Sequence, residues 1–476
     1  MIPHHDPVPL FVDLDGTLLK TDLLVESAFL LLKTRPWMIF MMLFWLISGK
    51  ARLKHEIAIR CTLDFEALPL HPEFEAFLHR EAMHGRSLYL ATASDHRLAE
   101  PIAKRLGIFK AVLASDGQRN LKGNQKLEAI VECCQASAFD YAGNAQVDLA
   151  IWCKARHIIV VNPDSGVLTS LKQHGLPVQQ LFEDRPPLIH TWMRAIRLHQ
   201  WAKNVLLAVP VLTAHSFKFS SLMQIAAAFV AFGLLASATY LLNDLLDLSA
   251  DRHHPRKCRR PFAAGNISLV TGIMMMLVLF GCSFALALEL ERTFLWTLLA
   301  YLLLTLSYSF HFKKVVLIDV LLLAALYTIR IVAGANAIEV NVSSWLLAFS
   351  MFVFLSLALV KRCTELLALE KLARESMKGR DYHVADYPIL SIMGIVSGYL
   401  SILVLALYIN SPESLVGYQH PKYLWLLCPL MAYWMSRLWL QTARGFMHDD
   451  PLIYSLKDRV SWLVFFNMMI IMGVAI

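Results

Sequence analysis

The chain has 476 residues, 57% of them apolar and 17% charged, and a mean hydropathy of +0.51, which together exclude a wholly soluble enzyme. Dominant apolar residues exclude a disordered chain, and 20 Gly and 19 Pro without a period exclude a collagenous one. The net charge of +7 follows membrane loops rather than one face of a nucleic-acid binder, and the eight Cys, with no CxxC pair, read as small buried thiols rather than a zinc or disulfide framework.

Residues 1 to about 182 mix charged and apolar residues in α/β proportions. The opening Met1-Ile-Pro-His-His-Asp lacks the basic and apolar regions of a signal peptide, so the amino terminus is expected in the cytoplasm. Leu10-Phe11-Val12 reads as a buried strand ending in Asp13-Leu14-Asp15-Gly16-Thr17, two carboxylates on one side followed by a turn. Such a pair can hold Mg²⁺ while one carboxylate attacks phosphorus and the other handles protons. The apolar run Trp37 to Ser48, flanked by Lys33, Arg35, Lys50 and Arg52, is too short to span a bilayer. It reads as a helix of a cap subdomain, the other reading being a helix lying on the membrane. A second strand, Ser87 to Ala91, ends at Thr92-Ala93-Ser94, where a hydroxyl suits a phosphate oxygen. Lys126 opens a helical run, and Phe139 to Ala142 leads into Gly143-Asn144-Ala145-Gln146-Val147-Asp148.

These four segments, in this order over residues 9 to 165, resemble the haloacid dehalogenase superfamily of phosphohydrolases. The resemblance implies a doubly wound α/β core with a helical cap between about residues 22 and 86. It also implies Asp13 as nucleophile, Asp15 as acid and base, and phosphate contacts from Thr92 and Lys126, with Lys122 the alternative. Mg²⁺ would lie on Asp13, Asp15 and the last motif. There Asn144 stands where the family usually has Asp, and Asp148 is the compensating carboxylate.

The prolines of Glu183-Asp184-Arg185-Pro186-Pro187 suit a linker over 183–189, so the domains are expected at 1–182 and 190–476. Nine apolar runs begin near Trp201, Leu222, Leu269, Phe294, Val315, Trp345, Ile389, Tyr423 and Ser461. With the amino terminus inside, the inner loops hold sixteen basic residues, among them Arg252, Lys314, Lys371, Arg374, Lys378 and Arg444, against Lys218, Arg292 and Lys422 outside, so the carboxyl terminus is expected outside.

Asn243-Asp244-Leu-Leu-Asp247-Leu-Ser-Ala-Asp251 closes the second run, and spacings of three and four put Asp244, Asp247 and Asp251 on one helical face. Like charges at a helix carboxyl end repel one another and the dipole, which a divalent cation would resolve. His253 to Pro261, with Arg256, Lys257 and Arg260, then supplies cations for a diphosphate.

This half resembles the UbiA superfamily of intramembrane prenyltransferases through the NDxxDxxxD run and Arg260-Pro261. The resemblance implies an all-α nine-span transmembrane bundle with Mg²⁺-diphosphate on Asn243, Asp244, Asp247 and Asp251, and a role for Tyr308-Ser309 and Lys313, followed by Asp319. The usual second aspartate motif is replaced by Lys361-Arg362-Cys363-Thr364-Glu365. With Gln200-Trp201-Ala202-Lys203-Asn204, Arg330-Ile-Val-Ala-Gly334 and Asp449-Asp450-Pro451, that points to the branch that moves phosphoribosyl from phosphoribosyl diphosphate onto polyprenyl phosphate. Lys203, Lys361 and Arg362 are the expected lipid-phosphate ligands, and Arg330, inside an apolar run, is a functional candidate. The expectation is therefore a transferase in the lipid bilayer of a bacterial inner membrane, with Mg²⁺ as cofactor and no nucleic-acid partner. The fused first half would remove the 5-phosphate. The alternative is prenyl transfer from an isoprenyl diphosphate to an aromatic or other small acceptor, with a regulatory or inactive first half.

Overall fold

The structure, a computed structural model, describes residues 8–135, 138–371, 380–412, 414, 418–447 and 450–476. Its backbone falls into two units: Met1–Ile196 with Leu241–Met275, and Arg197–Tyr240 with Met276–Ile476.

The first unit is built on six parallel strands: β1 Leu10–Val12, β2 Leu88–Asp95, β3 Phe109–Ser115, β4 Asp140–Gly143, β5 Ile158–Val161 and β6 Val178–Phe182. Their order is β3-β2-β1-β4-β5-β6. Alternation along β1 sends Leu10 and Val12 into one core with Leu88, Leu98 and Ile102, and Phe11 into another with Ile130, Tyr141 and Trp152. Helices therefore cover both faces, as parallel strands require. Four helices follow β1: α1 Leu23–Thr34, α2 Met38–Ile47, α3 Lys50–Arg60 and α4 Pro72–Met83. Asp22 caps α1 by accepting from the Val25 N–H. The order reverses direction on either side of β1, so Asp13 follows the strand at the switch point where doubly wound sheets bind ligands. Between β2 and β6 lie α5 His96–Leu106, α6 Asn124–Cys133, α7 Leu149–Trp152 and α8 Val167–Gln173, and α9 Leu188–Ala195 comes after β6.

The remainder is helical. A 3₁₀ segment, Leu198–Ala208, runs into α10 Val209–Thr213, and then come α11 Phe219–Leu246, α12 Leu248–His253, α13 Leu269–Leu288, α14 Arg292–Phe310, α15 Ile318–Ala337, α16 Ser344–Glu370 and α17 Tyr387–Ile409. The chain closes on helices Leu427–Ala443, Pro451–Lys457 and Arg459–Ala475. Among the described residues six helices are long and apolar enough to cross a membrane, or seven if the last pair, bent by 83°, is one span. The expectation of nine spans is met in part: the run at Trp201 is broken by its 3₁₀ geometry and the helix starting at Leu427 has only 17 residues, so neither is among these six. Arg374 and Lys378, used in the loop count, lie outside the described residues, as does Asp449.

The thiols depart from expectation too. Cys61 and Cys363 are buried, whereas Cys133, Cys153 and Cys282 are exposed.

In the second unit, Gly334 of α15 faces the backbone of the 3₁₀ segment, and a Cβ there would come within 2.1 Å of the Leu207 carbonyl oxygen. A backbone atom cannot swing aside as a side chain can. Gly334→Ala is therefore expected to destabilise the bundle by about 1–3 kcal/mol, read as a lowered thermal midpoint in detergent.

Candidate active sites

The first unit holds a pocket of about 680 Å³ lined by Asp13, Asp15, Ser94, Lys122, Lys126 and Asn144. Lys126, at the start of α6, donates to Asp13 Oδ1 at 2.8 Å and to the Tyr141 hydroxyl at 3.1 Å. The Thr17 hydroxyl lies 3.4 Å from Asp13 Oδ2 and 3.2 Å from Asn144 Oδ1. Ser94 donates to Asp15 Oδ2 at 2.5 Å, and the Leu23 N–H to Asp15 Oδ1 at 2.8 Å. Gly16, at φ +77°, makes the turn possible, because a Cβ there would meet the Asn144 amide at 2.4 Å.

Burial raises the Asp13 carboxyl above its ordinary range; Lys126 opposes the rise and Asp148 adds to it. Burial, then the charge of Asp22, lifts Asp15 to about 7 against the hydrogen bonds from Ser94 and Leu23. A carboxyl with that value can donate a proton at neutral pH. Folding then takes up a proton on Asp15 between its ordinary value near 3.8 and about 7. Its contribution to stability is therefore lost as pH rises through that window. In metal-free protein the thermal midpoint is expected to fall from pH 4 to 7, and Asp15→Asn should flatten that fall.

Two residues expected at this site lie beside it. Thr92 is fully buried with its hydroxyl accepting from the Ser94 N–H at 3.0 Å, and Ser94 reaches the pocket instead. Asp148 is buried too: Tyr141 donates to one oxygen at 2.9 Å, and the Asn144 and Ala145 N–H groups donate to the other at 3.2 and 3.1 Å. It shapes the loop that presents Asn144. Lys54, on α3, was not picked out from the sequence yet lines the pocket, donating to the Ala93 carbonyl and to Asn120 Oδ1 at 2.6 and 3.1 Å. Burial lowers its pKa, against Asp15 and Asp22. A lysine on an amphipathic helix gives no local signal of this.

The aspartate segment also belongs to the first unit. Its helix is not continuous: α11 ends at Leu246, and Asp247 is the cap from which α12 starts, so the three carboxylates do not share one unbroken face. Asp244 and Asp251 are buried, and both meet Nη1 of Arg260, at 3.0 and 2.6 Å. Among the described residues no group of three metal-ligating side chains is gathered. Even so, two buried carboxylates converging on one positive nitrogen are a donor set that suits a hard divalent cation. Lys257 is 3.9 Å from Asp251, and Arg256 is exposed on the loop. Arg252 and His253 pair with Glu26 and Asp64, both at 2.5 Å.

In the second unit Asp450 gathers three partners: Lys203 at 2.7 Å, Lys361 at 3.4 Å and the Tyr327 hydroxyl at 2.9 Å. Arg330 is buried among aromatic rings, with centroids of Tyr301 and Phe232 4.9 and 5.6 Å away, and it donates to Asn204 Oδ1 at 3.2 Å and to the Tyr301 hydroxyl at 3.1 Å. Asn204 Nδ2 is buried without a hydrogen-bond partner, a donor open to a ligand oxygen. Tyr308 lies in the last turn of α14, and Lys313 in the 3₁₀ turn Phe312–Lys314.

Arg362, expected as a lipid-phosphate ligand, is instead fully buried, 2.7 Å from Asp319 and paired with Glu365. Removing one member of a buried pair strands the other charge. Arg362→Met should therefore destabilise by about 3–5 kcal/mol, with Asp319→Leu added to it recovering much of the loss; thermal melts of both variants check this.

Comparison with known proteins decides the family. Residues 204–454 match the UbiA prenyltransferase family. The chain is also 35% identical over 459 residues to the uncharacterized protein y4nM of Sinorhizobium fredii, covering 96% of this chain and 89% of that one. The chain belongs to the UbiA prenyltransferase family. It is 36% identical over 275 residues to the nodulation protein NoeC of Azorhizobium caulinodans, covering 57% of this chain and 88% of that one. It is 28% identical over 300 residues to the decaprenyl-phosphate phosphoribosyltransferase of Mycobacterium tuberculosis, covering 61% and 97%. Family and apolar helices together make this UbiA protein an integral membrane protein.

Proposed function

We propose that the UbiA half transfers 5-phosphoribosyl from phosphoribosyl diphosphate to a polyprenyl phosphate, and that the first half then removes the 5-phosphate. The observation that carries the first step is the pair Lys203 and Lys361 sharing the single carboxylate Asp450. Two ammonium groups on one carboxylate leave a positive charge for a lipid monophosphate, and the name of the mycobacterial relative agrees.

Asp244 and Asp251, with Asn243 and Asp247, would hold Mg²⁺, which when bound supplies the positive charge that a departing pyrophosphate needs. Arg260, Lys257 and Arg256 grip the diphosphate oxygens. The bond between the ribose anomeric carbon and the diphosphate oxygen breaks, pyrophosphate departs, and an oxygen of the lipid phosphate forms the new bond to that carbon. An ionised phosphate needs no general base. In the first unit Asp13 attacks phosphorus, and Asp15 gives its proton to the departing ribose 5-oxygen. Asp15, now ionised, takes a proton from the water that hydrolyses the aspartyl phosphate. Asp13, Asp15 and Asn144 would be the oxygen donors there for Mg²⁺, which when bound would offset the charge on the phosphoryl oxygens. The topology we favour has nine spans with the first unit on the cytoplasmic side, the broken segment Leu198–Thr213, the helix Leu427–Ala443 and the bent pair completing the six.

The test is to incubate the full-length protein with Mg²⁺, radiolabelled phosphoribosyl diphosphate and a polyprenyl phosphate, and to chromatograph the organic phase. Label in the lipid is expected. Its absence from a sample that consumes an isoprenyl diphosphate would replace this reading with prenyl transfer to a small acceptor.

A further inference from the structure

Helix α2 is apolar throughout, yet only one stripe of it is packed. Met38, Met42 and Trp45, spaced four and three apart, turn inward onto Leu31 and Ile57 of α1 and α3. Ile39, Phe40, Leu43, Phe44, Leu46 and Ile47 are left 44 to 87% exposed. A contiguous apolar surface of this kind is costly in water and marks a docking surface. Ten residues of helix are about 15 Å long, half of the roughly 30 Å hydrocarbon layer, so α2 can lie in a bilayer but not cross it. Its ends are basic: Arg35 precedes it, and Lys50 and Arg52 follow, all exposed. An apolar helix with cationic ends is complementary to an anionic lipid surface.

A second observation is independent of that exposure. Leu46 at the end of α2 and Lys50 line the same pocket as Asp13 and Asp15, and so do Leu269 and Val270, the first residues of the membrane-crossing helix α13. All of these residues belong to the first unit. The pocket therefore opens at the level where a span enters the membrane.

We propose that α2 lies in the headgroup layer of a bilayer containing anionic lipids, and that it sets the Asp13 pocket to take a phosphomonoester borne on a membrane lipid rather than one free in solution. The substrate half of this inference rests on the phosphatase reading above; the membrane contact does not.

The membrane contact is tested with full-length protein in vesicles of phosphatidylglycerol and phosphatidylethanolamine, carrying p-benzoylphenylalanine at position 40 or, as a control, at exposed position 100 on α5. Irradiation is expected to give phospholipid adducts from position 40 and not from position 100. Adducts to a second copy of the chain, or no difference between the positions, would overturn it. The substrate half is tested by Phe40→Asp combined with Ile47→Asp. Hydrolysis of a vesicle-borne polyprenyl-phosphoryl ribose 5-phosphate should fall by about tenfold, while that of p-nitrophenyl phosphate stays unchanged. Equal effects on the two substrates, including none on either, would overturn the substrate assignment. If wild type hydrolyses neither substrate, the phosphatase reading and the substrate half fall together, and the adducts decide the membrane contact alone.

Discussion

Asp13→Asn is expected to abolish removal of the 5-phosphate, by at least about 10⁴-fold, and to leave phosphoribosyl transfer intact, so that the phosphorylated lipid accumulates. The carboxylate is the nucleophile of the proposed step and the acceptor of the Lys126 ion pair at 2.8 Å. An amide of the same shape keeps a hydrogen bond from Lys126 but cannot form the acyl phosphate. Chromatography of the lipid product separates the two outcomes, since the ribose either keeps its phosphate or loses it. Loss of transfer together with phosphate removal would mean that Asp13 supports the fold rather than the chemistry. An unchanged product would leave the first unit without the proposed activity.

Asp244→Asn and Asp251→Asn are each expected to lower phosphoribosyl transfer by about 10²–10³-fold and to raise the Mg²⁺ concentration needed for half-maximal rate. Both carboxylates are buried and meet the one Nη1 of Arg260. A purely structural triad would respond differently. Neutralising one carboxylate would then lower the thermal midpoint and leave the Mg²⁺ dependence of the remaining activity where it was. Measuring the Mg²⁺ titration beside the melt distinguishes ligation from support, and an unmoved titration would remove these carboxylates from the metal site.

Much of the chemistry was legible locally because its signals are local. The run from Leu10 to Thr17 announces a buried strand and a two-carboxylate turn, and strand periodicity alone sends Leu10 and Phe11 to opposite cores. The Asp244–Asp251 and Arg260 segments could be singled out because charges crowded at the end of an apolar run are expensive unless they have partners. That α2 is too short to span was likewise fixed by its length.

What a side chain faces was not legible, because that depends on elements distant in sequence. Thr92 and Ser94 lie two apart on β2, but one hydroxyl is buried on a backbone N–H and the other reaches Asp15; both fall in the stretch between Ala91 and Asp95 where the register against β3 shifts. Lys361 and Arg362 are adjacent cations on α16, separated by about 100° of helical rotation. One thereby meets Asp450 and the other is sealed against Asp319. Lys54 comes to the pocket only because α3 packs beside β2. The residue types and their order were fixed by the sequence itself, since each rests on covalent neighbours and a period. Which cation is free to meet a ligand, and which is spent on a buried carboxylate, was decided by tertiary packing, because desolvation and pairing depend on groups that sequence distance does not bring together.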